Sequence, residues 1–95
     1  MQQKPIRYCL HLQERLVLRQ IDPHLPERII RQPDRIVEDA ATGYRIALAT
    51  VTYRGSDHLM MVAFQEGPDE IVAITIHPLD ERDLTLKLQS GRWKP

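Results

Sequence analysis

Four strand-like runs separated by three short turn-forming clusters occupy the middle of this chain, and no other feature restricts its fold as much. The runs are Arg35 to Asp39, Tyr44 to Tyr53, His58 to Gln65 and Glu70 to Ile76. Each is rich in β-branched or aromatic residues, or alternates in polarity. Ala41-Thr42-Gly43, Arg54-Gly55-Ser56-Asp57 and Glu66-Gly67-Pro68-Asp69 lie between them, and such residues turn the backbone through positive φ or through local side-chain hydrogen bonds. Links this short cannot carry a crossover helix, so the expected arrangement is an antiparallel meander. In the second run Tyr44, Ile46 and Leu48 share one face while Ala47, Ala49 and Val51 share the other, which predicts partial cover on both sides. Ile71 to Ile76 is apolar almost throughout and reads as a central strand buried on both faces.

On either side of the meander the period changes to that of a helix. Leu12 and Leu16, with Leu10, Val17 and Ile21 on a second arc, predict a helix from about residue 10 to 20, largely buried except for one polar stripe. Asp22-Pro23 and Pro26 suit the start of a second short helix near residues 24 to 31, which Gln32-Pro33 ends. Ile6 to Leu10 is either a short first strand or an extended lead-in, because Lys4-Pro5 disfavours an earlier start. After His77-Pro78, Asp80 as cap, Leu84 and Leu88 one turn apart and Gly91 at the stop define a C-terminal helix. Ninety-five residues, 42% of them hydrophobic, suffice for one core and are too few for two. The expected fold is therefore a single α+β domain over residues 1–95: a four-stranded, mainly antiparallel sheet packed on two N-terminal helices, with a C-terminal helix.

Thirteen basic residues balance thirteen acidic ones, so no global field argues for nucleic acid. The distribution is uneven. Residues 1–35 carry seven Lys or Arg against four Asp or Glu, residues 36–83 three against nine, and residues 84–95 three against none. The single cysteine, Cys9, excludes an internal disulfide framework and fits a reducing compartment. The opening MQQKPIRYCL has no apolar signal region, and no stretch approaches the roughly 18 to 20 apolar residues that span a bilayer. A soluble, cytoplasmic protein without membrane attachment is the expectation.

His11, Arg15 and Arg19 stand at i, i+4 and i+8 of the first predicted helix, a spacing that stacks them along one side. A group that titrates near neutrality beside two permanent cations suits a phosphate or another anion. The competing structural expectation pairs Arg15 and Arg19 with carboxylates and uses His11 as a cap or spacer. His77 follows the apolar run at a strand's end, on the same face as Thr75, where Arg45 or Arg54 from neighbouring strands would join it. A second histidine there permits metal-independent RNA cleavage, in which the 2′-hydroxyl attacks and two imidazoles carry protons. His11, His24, His58 and His77 are scattered, and no HxxxH or CxxC spacing is present, so no metal is expected. The glycines at 43, 55, 67 and 91 are spaced as turns and a cap, not as a phosphate loop, and no cofactor is expected. Trp93, between Arg92 and Lys94, suits the sealing of a small core better than base stacking.

The segment HLQERLVLRQID, with the helix after it and the Gln32-Pro33-Asp34 turn, resembles the start of the domain-of-unknown-function family 4258. Members show a His, an Arg four later, another four later, an Ile two beyond, and a short helix ending in an Asn-Pro-like turn; His11, Arg15, Arg19, Ile21 and Pro33 fit. Thr75 to Pro78 and the Gly-Arg-Trp tail resemble the family's later part. A Gly usually follows the second Arg, where this chain has Gln20, so the first helix is expected to end differently. The family is similar to small toxin ribonucleases of the RelE and BrnT type. The resemblance implies a RelE-like layout and an endoribonuclease or RNA-binding toxin role within a toxin-antitoxin system. It implies a role for His11, Arg15 and Arg19, to which the reading of the strand end adds His77 as second proton carrier, with RNA and an antitoxin protein as partners. The alternative is a non-catalytic interaction module, possible as a homodimer, which predicts paired arginines and a His11 far from His77.

Overall fold

The computed structural model describes residues 3–95. In chain order its elements are β1 (Ile6–Tyr8), α1 (Leu10–Leu18), α2 (Leu25–Arg31), β2 (Arg35–Asp39), β3 (Arg45–Tyr53), β4 (Ser56–Glu66), β5 (Ile71–Pro78), α3 (Glu81–Gln89) and β6 (Trp93–Lys94). The expected meander is present: β2, β3, β4 and β5 pair antiparallel in succession. The sheet around it is larger than expected and mixed, with six strands in the order β1-β5-β4-β3-β2-β6. β1 joins β5 in parallel, Ile6 opposite Ile71 and Tyr8 opposite Ala73. β6 joins β2 antiparallel, Trp93 opposite Asp39. The four-stranded, mainly antiparallel sheet is thus corrected to six strands. The short first strand left open at Ile6 to Leu10 is present as β1, while the two residues of β6 carry too little periodicity to announce a strand, and both pair with partners remote in sequence.

The sheet separates two apolar layers. On one face Leu12 and Leu16 of α1 and Leu25, Ile29 and Ile30 of α2 pack with Ala47, Ala49, Met60, Val62, Phe64, Ala73 and Ile76. On the other, Ile46, Leu48, Met61 and Ala63 meet Trp93 and the half-buried Leu84 and Leu88 of α3. The two faces of β3 are covered by the residues that alternation assigned to them. β5 is less central than expected. β1 pairs with it only as far as Ala73, and the rest of that edge is covered by α1. The backbone N–H of Cys9 donates to the Ala73 carbonyl at 3.1 Å, the Cys9 thiol to that of Ile74 at 3.1 Å, and Nη1 of Arg19 to that of Ile76 at 3.1 Å.

Local chemistry explains how the helices are placed. α1 ends at Arg19, and Gln20 takes φ +53°. The N–H of Ile21 bonds the carbonyl of Leu16 at 3.0 Å, and that of Gln20 the carbonyl of Val17 at 3.2 Å, a Schellman stop with buried Ile21 beside Leu16. This is the left-handed position that a glycine fills without strain. The start of α2 has no side-chain cap of its own. The Tyr8 hydroxyl supplies one from β1, accepting from the N–H of Glu27 at 3.1 Å while donating to the Pro23 carbonyl at 2.6 Å. Its burial pushes the phenol's pKa up. Asp80 caps α3 through the N–H of Asp83 at 2.8 Å, and Gly91 beyond that helix has φ +78°.

One buried carboxylate fixes the chain's end. Asp39 closes β2 and accepts at Oδ1 from the N–H groups of Ala41, at 2.9 Å, and Thr42, at 3.4 Å. It also takes a two-pronged contact from Arg92, Nε to Oδ1 at 2.8 Å and Nη2 to Oδ2 at 3.2 Å. The guanidinium holds the Asp39 carboxyl down at about 2, helped by the two backbone donors and opposed by burial. This pair anchors β6 on β2.

Candidate functional site

α1 carries the basic stripe as the spacing requires, and the structure treats its three members differently. His11 is exposed and Arg15 half-exposed. Neither makes a side-chain hydrogen bond or ion pair among the described residues. The other arginines with carboxylate partners are Arg7 on Glu70 at 3.1 Å, Arg31 on Glu27 at 3.7 Å, Arg45 on Glu66 at 3.3 Å and Arg92 on Asp39. Arg15 and Arg19 do not join that set, so the expectation that carboxylates neutralise the stripe fails. Arg19 is partly structural all the same, since its guanidinium satisfies the open-edge carbonyl of Ile76.

His77 does not stand with the stripe. It lies opposite Met61 in the β4–β5 register, and Met61 belongs to the layer that α3 covers. α1 packs on the other face. Successive strand residues alternate in direction, so Ile76 points toward α1 and His77 away from it. Nδ1 of His77 turns onto the carbonyl of Pro78 at 3.1 Å. The sheet therefore separates His11 from His77, which corrects their expected acid/base pairing. Neither arginine expected beside His77 is there. Arg45 sits 6.0 Å from the Phe64 ring and pairs with Glu66; Arg54 reaches the end of α1, with Nη2 3.4 Å from the Arg19 carbonyl.

α1 is also less buried than its pattern predicts. Only Leu12 and Leu16 are buried within it, while Leu10, Val17 and Leu18 are 70%, 81% and 74% exposed. Leu10 and Leu18, at i and i+8, flank the exposed Glu14 at i+4, so these apolar side chains surround a carboxylate. Val17 alone of the three lines a hollow of about 500 Å³, together with Arg7, Tyr8, Gln13, Leu16, Ile21 and Pro23. Helical spacing alone does not say whether an apolar arc meets the protein's own core or another surface.

Two further features were not singled out from the sequence. A larger hollow of about 560 Å³ is lined by Lys4, Arg45, Glu66 and Lys94 among others, but Lys4 and Arg45 both lie on Glu66, at 2.8 Å and 3.3 Å. Two of its three basic side chains thus share one carboxylate. At the β3–β4 turn, Ser56 Oγ stands 3.0 Å from Nε2 of His58. The i, i+2 spacing of Ser56 and His58 puts them on one face only because β4 begins at Ser56, inside a cluster that has turn-forming chemistry. Among the described residues no group of three or more His, Cys, Asp or Glu is placed to hold a metal ion. Among the described residues no helix is long and apolar enough to cross a membrane. No protein-family model, curated protein or solved structure matches this chain.

Proposed function

We propose that this is a small RNA-binding protein of toxin type, similar to the RelE and BrnT ribonucleases and related to the domain-of-unknown-function family 4258 that its first helix resembles. The observation that carries the reading is the side-by-side placing of His11 and Arg15, one helical turn apart on the outer side of α1. His11 is exposed and Arg15 half-exposed, and neither has a carboxylate partner among the described residues, whereas Arg7, Arg31, Arg45 and Arg92 each lie on one and Arg28, Arg35, Arg54 and Arg82 do not. Arg15 suits a phosphodiester through its planar fork of donors. In RNA cleavage His11 takes the proton of the 2′-hydroxyl as that oxygen attacks the adjacent phosphorus; the P–O5′ bond breaks, the departing 5′-oxygen takes a proton from solvent water and a 2′,3′-cyclic phosphate remains, while Arg15 and Arg19 stabilise the charge gathering on the phosphorane. His77 has no part in this reading. The RelE-like fold is likewise a proposal, supported by two helices on one face of a four-stranded meander. The test is RNA cleavage and growth inhibition by the wild type and by a His11→Ala, Arg15→Ala double variant. Loss of both in a folded variant is expected; undiminished activity rejects the assignment.

The exposed Leu10, Val17 and Leu18 favour a second reading, a protein-interaction module whose partner is an antitoxin protein or a second copy of the chain. A Val17→Asp, Leu18→Asp variant separates the two. It would abolish partner binding or dimerisation in sedimentation velocity under the interaction reading, and would spare RNA cleavage under the first.

A further inference from the structure

The turn between β3 and β4 contains a residue that turn chemistry would not select. Tyr53 pairs with Ser56, and the two residues between them, Arg54 at φ +52° and Gly55 at φ +81°, form a two-residue loop with both φ values positive. That geometry favours Asn-Gly, and a long side chain at its first position is conformationally disfavoured. A cation at a strained position is a reason to ask what it binds. The Arg54 guanidinium carbon lies 5.2 Å from the centroid of the Tyr53 ring. The Tyr53 hydroxyl is fixed by donating to the Arg19 carbonyl at 3.0 Å. Stacking on a fixed ring holds the planar fork in place before any ligand arrives, which lowers the entropic loss on binding. The only hydrogen bond Arg54 makes among the described residues is the 3.4 Å contact with the Arg19 carbonyl, and no carboxylate lies within salt-bridge distance.

Other donors stand on the same side. Tyr53 and Ser56 are directly opposite one another, and His58 is two residues along from Ser56, so all three share a face. Ser56 Oγ and His58 Nε2 are 3.0 Å apart, and the His58 ring meets the Tyr53 ring edge-on at 5.7 Å. The acidic residue of the turn, Asp57, lies opposite Thr52 on the other face and accepts from its hydroxyl at 3.1 Å. We propose that this turn is a phosphate-binding site, in which Arg54 donates its paired N–H groups to two phosphate oxygens. The ligand is a phosphate group, either a free phosphate or one within a nucleic-acid backbone. The site stands on the turn's own geometry and does not depend on the RNA-cleaving reading, which uses His11 and Arg15.

The test is titration of the isotope-labelled full chain, followed by NMR at the Arg54 Nε–H and the Gly55 and Ser56 amides. One arm uses inorganic phosphate and the other a short unstructured RNA oligonucleotide. Shifts at the turn with phosphate alone assign a free-anion site, and shifts with the oligonucleotide alone assign a backbone site. Arg54→Asn should weaken the responding ligand at least tenfold with the thermal midpoint unchanged or raised, because Asn suits the turn. Arg54→Lys keeps the charge without the fork and should weaken it less. The proposal is overturned if neither ligand moves the turn resonances, or if Arg54→Asn and Arg54→Lys both bind as the wild type does.

Discussion

Acidification from pH 5 to pH 2 should expose how much of this fold hangs on Asp39. The Asp39 side chain is 8% exposed and its partner Arg92 44%, and the carboxyl is held at about 2 against an ordinary 3.8. At about 1.4 kcal/mol per pH unit, that difference corresponds to about 2 kcal/mol of stability at neutral pH. Solvent screening at the half-exposed guanidinium lowers the expectation to about 1–2 kcal/mol. The folded-state pKa lies below the unfolded one, so the contribution is complete above the ordinary value and disappears as pH falls from about 4 toward 2. Asp39→Asn keeps an acceptor for the Ala41 and Thr42 N–H groups but sets an amide against the Arg92 fork. It should lower stability at pH 7 by about 1–2 kcal/mol, or about 5–10 °C in Tm for a domain of this size. Urea unfolding followed by the single tryptophan, Trp93, which lies one residue from Arg92 in the chain, measures both effects. Wild type and variant should converge as pH approaches 2. If the two lose stability in parallel across that interval, the pair does not act as described.

Three further substitutions probe the placement of α1 and α2. Tyr8→Phe removes the hydroxyl that caps α2 and holds the Pro23 carbonyl, and should cost about 1–2 kcal/mol in denaturant unfolding. Gln20→Gly relieves the left-handed residue that ends α1, and should raise stability by about 0.5–1 kcal/mol by the same measurement. Arg19→Met keeps the apolar stem but leaves the Ile76 carbonyl without its donor. It should cost about 1 kcal/mol and speed hydrogen exchange along the β5 edge.

The meander was legible because its information is local. Alternation in β3 assigned Tyr44, Ile46 and Leu48 to one layer and Ala47, Ala49 and Val51 to the other, and the short links fixed antiparallel order. β1 was open between a short strand and an extended lead-in, and β6 was not legible, since their pairings join Ile6 to Ile71 and Trp93 to Asp39, remote in sequence. Asp80 and Gly91 were recognisable as helix ends because caps act over three or four residues. The burial of α1 was misread for a physical reason: Leu10, Val17 and Leu18 have helical spacing whatever surface they meet. The stripe itself was legible as geometry, but whether carboxylates neutralised it depended on tertiary neighbours. His77 was misjoined to His11 because strand parity says which residues share a face, not which helix covers that face. Asp39 gave little sign of its role, because its partner Arg92 lies 53 residues away.

The central claim is that the outward cations of α1 hold the RNA backbone, and the salt dependence of RNA affinity tests it most directly. Fluorescence anisotropy with a single-stranded oligonucleotide, across a range of potassium chloride concentrations, gives the slope of log affinity against log salt. Each phosphate contact to single-stranded RNA contributes about 0.7 to that slope. Arg15→Ala should weaken binding and reduce the slope by about that amount, with the fold intact by circular dichroism. Absence of RNA binding at low salt, or an Arg15→Ala variant with the wild-type slope and affinity, would contradict the account.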